Sequence, residues 1–121
     1  MKKIVIIDDE ENIISVLDRY LKRKNLVETE TFTNAKLAIP KIKAGHYDLV
    51  LLDIMMPEVN GLELLTEIKK ENPNQKVIMM TAYSTEEKII QSDLTGACDY
   101  ITKPFISLRD VENKILDALG I

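Results

Sequence analysis

The chain has 121 residues, of which 45% are hydrophobic and 30% charged, and 16 basic against 20 acidic residues give a formal net charge of −4. This length suffices for one domain with its own core, without disulfides or a structural metal. The charge balance, with no concentrated basic face, argues against direct nucleic-acid contact. Because no apolar run approaches the ~18–20 residues that span a bilayer, no membrane segment is expected. The single cysteine, Cys98, fits a reducing cytoplasm and is expected to be a small buried residue.

The first third of the chain predicts two strands and two helices. Ile4–Ile7 is an apolar run typical of a strand buried on both faces, and acidic residues follow it directly. A first helix follows these acids. Val27–Phe32 alternates in polarity, which predicts an edge strand with one solvated side. A second helix is expected over roughly Ala35–Ala44, with a kink or loose turn where Pro40 removes a backbone hydrogen bond.

The middle of the chain contains two further buried-strand patterns. Asp48–Asp53 places four consecutive apolar residues before one carboxylate and predicts the third strand. Asn60 is expected to cap a third helix, with Glu63 completing a capping box. Val77–Thr81 is another buried run and predicts the fourth strand.

The last third predicts a helix, a strand and a further helix. A capping box beginning at Ser84 opens the predicted fourth helix. Cys98–Thr102 is short and mixed in polarity, which favours a second edge strand, and a fifth helix is expected from Ser107. The peptide between Lys103 and Pro104 is predicted to be cis, because the turn must bring the lysine ammonium back over the rim of the sheet.

Strands and helices alternate along the whole chain, which predicts a parallel sheet with right-handed crossovers and helices on both faces. The first, third and fourth strands are predicted to be interior and the second and fifth to be edges. The expected fold is therefore an α/β, flavodoxin-like three-layer (βα)5 sandwich with strand order 2-1-3-4-5. We expect one domain over residues 1–121. The absence of a linker after the last helix favours a single-domain protein.

Acidic residues follow the first and third strands, whose carboxyl ends are neighbours at the switch point of this order. Asp8, Asp9 and Asp53 are therefore expected to meet at one rim, and Asp8 or Asp9 is also the expected N-cap of the first helix. Two unit charges ~4 Å apart repel by about 4 kcal/mol at an effective dielectric of ~20. A raised pKa or a bound cation must compensate. Oxygen ligands at an open rim suit Mg²⁺.

Two further side chains are predicted at the same rim. Thr81 ends the fourth strand and Lys103 follows the fifth. A hydroxyl and an ammonium that face a metal-bound carboxylate supply a donor, a counter-charge and a Lewis acid for a phosphoryl group.

Two other protein classes share parts of this pattern. A flavodoxin-like cofactor carrier has the same fold, but it needs a phosphate-cradling loop after the first strand, where acids stand here. A Mg²⁺-dependent phosphatase with an aspartyl nucleophile has the same chemistry. It usually needs a second carboxylic acid near the nucleophile and an insertion that covers the substrate, and every predicted connection here is short.

Four segments at or near the carboxyl ends of the predicted strands carry a more specific pattern. They are Ile4–Glu10, Asp48–Pro57 followed by Asn60-Gly61, Met80–Tyr83, and Gly96-Ala97 together with Lys103-Pro104-Phe105. With these segments in this order, the whole chain resembles the response-regulator receiver domain family of two-component signalling. The resemblance implies that Asp53 accepts a phosphoryl group, with Mg²⁺, from a sensor histidine kinase or a phosphotransfer protein.

The resemblance also implies a role for each metal-site residue. Asp9, Asp53 and the Met55 carbonyl would bind Mg²⁺, and Asp8 would act directly or through water. The domain would catalyse only its own phosphorylation and dephosphorylation.

The remaining implied roles concern the phosphoryl group and the switch. Thr81 and the Ala82 amide would hold phosphoryl oxygens, and Lys103 would pair with them. Tyr100 matches an aromatic residue that turns inward when Thr81 moves. The surface of the fourth helix, fifth strand and fifth helix, with Ile89 or Ile90, would then control a downstream protein partner or an output domain outside this sequence.

Overall fold

A five-stranded parallel sheet in the order β2-β1-β3-β4-β5 forms the centre of the structure, a computed structural model that describes residues 1–82 and 96–121. The strands are β1 (Lys3–Ile7), β2 (Glu28–Phe32), β3 (Leu49–Asp53), β4 (Lys76–Thr81) and β5 (Asp99–Thr102). The described helices are α1 (Glu11–Lys24), α2 (Ala35–Lys43), α3 (Gly61–Glu71) and a C-terminal helix (Leu108–Leu119). The predicted flavodoxin-like order is confirmed. None of these described helices is long and apolar enough to cross a membrane.

Most boundaries lie within one residue of their predicted positions, but the start of α1 differs in its capping. The N-cap residue is Glu10, which makes no side-chain capping bond, so the prediction of Asp8 or Asp9 as the N-cap was wrong. Asp8 is fully buried, and its Oδ1 accepts the Glu10 N–H at 2.9 Å. The predicted fourth helix, with its cap at Ser84, lies outside the described residues.

The α2 helix continues past Pro40. Its N-terminus is capped by Asn34, whose Oδ1 accepts the Lys36 N–H at 3.0 Å. At its other end, the Ala44 N–H donates to the Pro40 carbonyl at 3.1 Å. The proline therefore removes one donor without ending the helix.

Each face of the sheet carries its own hydrophobic cluster. Val50 and Leu52 of β3 belong to the cluster beneath α2 and α3, whereas Leu49 and Leu51 belong to the cluster beneath α1 and the C-terminal helix. All five residues of β3 are buried. This is the burial expected of a central strand in a parallel sheet covered on both faces.

Cys98 differs from its prediction. Its side chain is exposed, although its N–H donates to the Val77 carbonyl at 2.8 Å. The strand β5 begins one residue later than predicted, at Asp99, so Cys98 lies just before it.

The connection from β3 to α3 is held closely against the end of β3. The Ile54 N–H donates to the Met80 carbonyl at 2.9 Å, and the Ile54 carbonyl accepts the Gly61 N–H at 2.8 Å. A Cβ atom at Gly61 would overlap the Asp53 carbonyl oxygen and would lie 2.7 Å from the Ile54 Cα. Only glycine allows α3 to begin this close to the backbone of Asp53.

We therefore expect Gly61→Ala to destabilise the fold by about 1–3 kcal/mol, because the atoms that meet the new methyl group are backbone atoms. Urea unfolding should show a lower midpoint with an unchanged slope. Lys70→Ala, at an exposed position of the same helix, is the control and should change stability by less than about 0.5 kcal/mol. Equal stabilities of the Gly61 variant and the wild type would show that the loop between β3 and α3 can shift to make room for the methyl group.

Candidate functional site

Three buried charged side chains meet where β1, β3 and β5 end. Asp8 follows β1, Asp53 ends β3, and Lys103 follows β5 with a cis peptide bond to Pro104, as predicted. The Lys103 Nζ lies 2.8 Å from Asp8 Oδ2 and 3.4 Å from Asp53 Oδ2. Relative exposures are 0% for Asp8, 3% for Asp53 and 6% for Lys103. Water therefore does little to screen these charges from one another.

The Asp53 carboxyl is in an environment that disfavours its charge. Its pKa is raised from 3.8 to about 7, chiefly by burial and then by the negative charge of Asp8. The Lys103 ammonium lowers the pKa, but hydrogen bonding with Asp9 and Asp8 raises it again. One lysine therefore does not compensate for the acids gathered here.

The Lys103 ammonium itself remains charged. Its burial lowers the pKa, but the hydrogen bond to Asp8 and the charges of Asp53, Asp8 and Glu10 outweigh this effect, and the net shift is upward. Lys103 is therefore a fixed positive charge at the end of the sheet.

A group of carboxylates beside these charges could hold a cation. Asp8, Asp9 and Glu10 each offer an oxygen within 4.8 Å of the others, and Asp9 and Glu10 are exposed. All these donors are oxygens, which is the chemistry that Mg²⁺ prefers. Burial and the negative charge of Asp8 also disfavour the charged form of Asp53, which a cation at this rim would stabilise. The residues present therefore fit a hard divalent cation.

The other predicted phosphoryl-site residues lie on the same rim. Asp53 pairs in register with Met80, so Thr81 lies one residue beyond it on β4, and its side chain is buried. Ala82 follows and is exposed. The Met55 N–H points to Asp53 Oδ1 at 3.4 Å. The structure thus places Thr81, Ala82 and Met55 on the segments that adjoin Asp53.

Tyr100, the predicted switch residue, lies on β5. It pairs with Met79 on β4, and its half-buried ring packs against the cluster beneath α2 and α3. The Lys114 Nζ donates to the Tyr100 carbonyl at 2.8 Å and is 5.4 Å from the centre of its ring. Tyr100 therefore lies between β4, the C-terminal helix and the cluster beneath α2 and α3.

The sequence analysis missed Glu10. Its Oε1 lies 3.3 Å from the Lys103 Nζ. The sequence assigns Glu10 to an acidic helix start, and nothing in its spacing indicates contact with a residue 93 positions away. Only its place two residues after Asp8 could have drawn attention to it.

The raised pKa of Asp53 predicts a pH-dependent effect of Asp53→Asn. An unfolded aspartate ionises near 3.9, whereas Asp53 ionises at about 7 in the fold. Its ionisation therefore costs stability as the pH rises between these values, and the full cost is present above about 7. Asp53→Asn should raise the free energy of unfolding by at least about 1 kcal/mol near pH 8 and by much less near pH 4.

Urea unfolding at both pH values, with a chelator present, measures this difference. Asp117→Asn, at an exposed position of the C-terminal helix, is the control and should show no such pH dependence. A gain in Asp53→Asn that is the same at both pH values would contradict the assignment of a raised pKa.

Comparison with known proteins identifies the family. The response regulator receiver domain family matches residues 4–116. The chain is 34% identical to the chemotaxis protein CheY of Thermotoga maritima over 116 residues, which cover 94% of this chain and 97% of that protein. It is 40% identical to the transcriptional regulatory protein ResD of Bacillus subtilis over 109 residues, which cover 90% of this chain but 44% of ResD.

A solved structure gives the same result. The response regulator TrrA of Thermotoga maritima, determined in complex with Mg(2+)-BeF, is 36% identical and superposes with a TM-score of 0.86 over 98% of this chain and 100% of that one. The chain therefore belongs to the response regulator receiver domain family, whose members are phosphorylation-dependent switches of two-component signalling.

Proposed function

We propose that this receiver domain is phosphorylated on Asp53. The observation that carries the proposal is the position of the Asp53 carboxylate at the end of β3, buried and 3.4 Å from the Lys103 ammonium. Receiver domains accept phosphate on an aspartate with Mg²⁺ and take it from histidine kinases. In this chain Asp53 combines the burial, the counter-charge and the position that such an acceptor needs.

The transfer forms one bond and breaks one. A carboxylate oxygen of Asp53 attacks the phosphorus, and the bond between phosphorus and the donor atom breaks, with its electron pair leaving on the donor. The Lys103 ammonium lies where it can balance the negative charge of the incoming phosphoryl oxygens. The Thr81 hydroxyl and the Ala82 amide, on the neighbouring strand end, would donate to those oxygens.

Asp8, Asp9, Asp53 and the Met55 carbonyl would hold Mg²⁺ in this site. When bound, the ion offsets the repulsion among the carboxylates and stabilises negative charge on the phosphoryl group. The carboxylate of Asp8 also keeps the Lys103 ammonium in place through their 2.8 Å contact. We further propose that the same groups assist hydrolysis of the acyl phosphate, so that the domain catalyses its own dephosphorylation.

The donor would be a sensor histidine kinase or a phosphotransfer protein, and residues 1–121 would form one receiver domain. Its relatives support two kinds of output. The chain corresponds to 97% of the chemotaxis protein but to 44% of ResD. The output could thus be a separate protein partner or a further domain, and we infer no direct contact of this domain with nucleic acid.

Phosphorylation by a small donor tests whether Asp53 is the acceptor. Treatment with acetyl phosphate and Mg²⁺ should add one phosphoryl group to the wild type, because the small acyl phosphate supplies the donor and the protein supplies the site. Mass spectrometry should find no addition in Asp53→Asn or with a chelator. Asp48→Asn, at the exposed position just before β3, is the matched control and should be labelled normally. Labelling of Asp53→Asn to the wild-type extent would contradict the proposal.

Phosphorylation of Asp53 should also change the surface that contacts a partner or an output domain. A phosphoryl group on Asp53 draws the Thr81 hydroxyl toward it, and Tyr100 rotates into the space behind β4. We therefore expect the surface of β5, the C-terminal helix and the predicted fourth helix to change and to carry the regulated contact. Ile89 and Ile90, which that surface would include, lie outside the described residues. Couplings of this kind change partner affinity about 5- to 150-fold.

Amide chemical shifts of the Mg²⁺ form, recorded with and without beryllofluoride, measure this change. Residues of β5 and the C-terminal helix should shift as well as those at the rim. Shifts confined to the rim would show that the switch does not reach this surface.

A further inference from the structure

The ammonium of Lys103 is shared among three carboxylates. Its Nζ lies 2.8 Å from Asp8 Oδ2, 3.3 Å from Glu10 Oε1 and 3.4 Å from Asp53 Oδ2. An ammonium has three N–H donors. Hydrogen bonds to Asp8 and Glu10 use two of these donors, and Asp53 faces the ammonium as an ion pair. Three carboxylates therefore already surround the ammonium, and an incoming phosphoryl oxygen must compete with them for it.

The three carboxylates differ in their freedom to withdraw. The side chains of Asp8 and Asp53 are 0% and 4% exposed, whereas that of Glu10 is 58% exposed. A buried carboxylate that loses its partner is left without solvation, which is costly. Glu10 can turn into water and be solvated there, so it is the acceptor that an incoming oxygen displaces at least cost.

We propose that Glu10 is a positioning residue that competes with the phosphoryl group for the Lys103 ammonium. This inference rests on the proposed function, in which Lys103 pairs with a phosphoryl oxygen. Glu10 holds the ammonium toward the start of α1, and the phosphoryl group must take over this contact. Glu10 thereby weakens the binding of a phosphoryl group or its mimic.

Three variants separate the contact from the charge. Glu10→Gln removes the charge and keeps the length of the side chain. Glu10→Asp keeps the charge and shortens the side chain by one methylene, which weakens its contact with Lys103. Glu11→Gln removes the same charge from an exposed neighbour in the first turn of α1.

The measurement is the dissociation constant of beryllofluoride at saturating Mg²⁺, obtained from an NMR titration that follows the amides of Thr81 and Lys103. Glu10→Gln and Glu10→Asp should each bind beryllofluoride about two- to fivefold more tightly than the wild type, which is the range that an exposed ion pair supplies. Glu11→Gln should bind as the wild type does. The Lys103 side-chain resonances should shift in both Glu10 variants before beryllofluoride is added.

Two results would overturn the inference. If Glu10→Gln and Glu11→Gln change the dissociation constant equally while Glu10→Asp leaves it unchanged, only the net charge matters. If Glu10→Gln weakens Mg²⁺ binding more than Glu11→Gln does in a titration with Mg²⁺ alone, Glu10 is a metal ligand instead. A wild type that binds no beryllofluoride and is not labelled at Asp53 would refute the proposed function itself.

Discussion

A buried ammonium between two buried carboxylates determines the chemistry at the end of this sheet. Lys103 lies 2.8 Å from Asp8 and 3.4 Å from Asp53, and all three side chains are nearly inaccessible to water. One positive charge does not balance the acids, so burial and Asp8 raise the pKa of Asp53 to about 7. The site is therefore built to gain stability from added positive charge. A divalent cation would supply that charge and would also bring a phosphoryl group within reach.

The fold accounts for this arrangement. In the order 2-1-3-4-5 the chain reverses its direction of winding between β1 and β3, and the helices on opposite faces leave the strand ends open there. Asp8 and Asp53 therefore converge without any long loop. The close packing of Gly61 against the Asp53 carbonyl keeps the loop after β3 from moving away. The strands thus hold the charged groups in place.

Much of this could be predicted from the sequence because the signals are local. Unbroken apolar runs predicted the central strands, and the acids that end two of them predicted the rim. The position of Lys103 at this rim was predicted from its place after the last strand. The failures concern contacts that depend on tertiary packing. Asp8 was expected to cap α1, but its carboxylate instead forms an ion pair with Lys103 at the rim. Glu10 contacts the same distant lysine, and Cys98, which was expected to be buried, is exposed just before β5.

The most direct test of this account is the titration of the Asp53 carboxyl itself. The ¹³C chemical shift of its carboxyl carbon, followed against pH in the wild type without divalent cations, should give a pKa near the value of about 7 that burial and Asp8 impose. Saturating Mg²⁺ should lower that pKa by several units, because the ion favours the charged carboxylate. An Asp53 pKa near 4 without any cation, unchanged by Mg²⁺, would contradict the account.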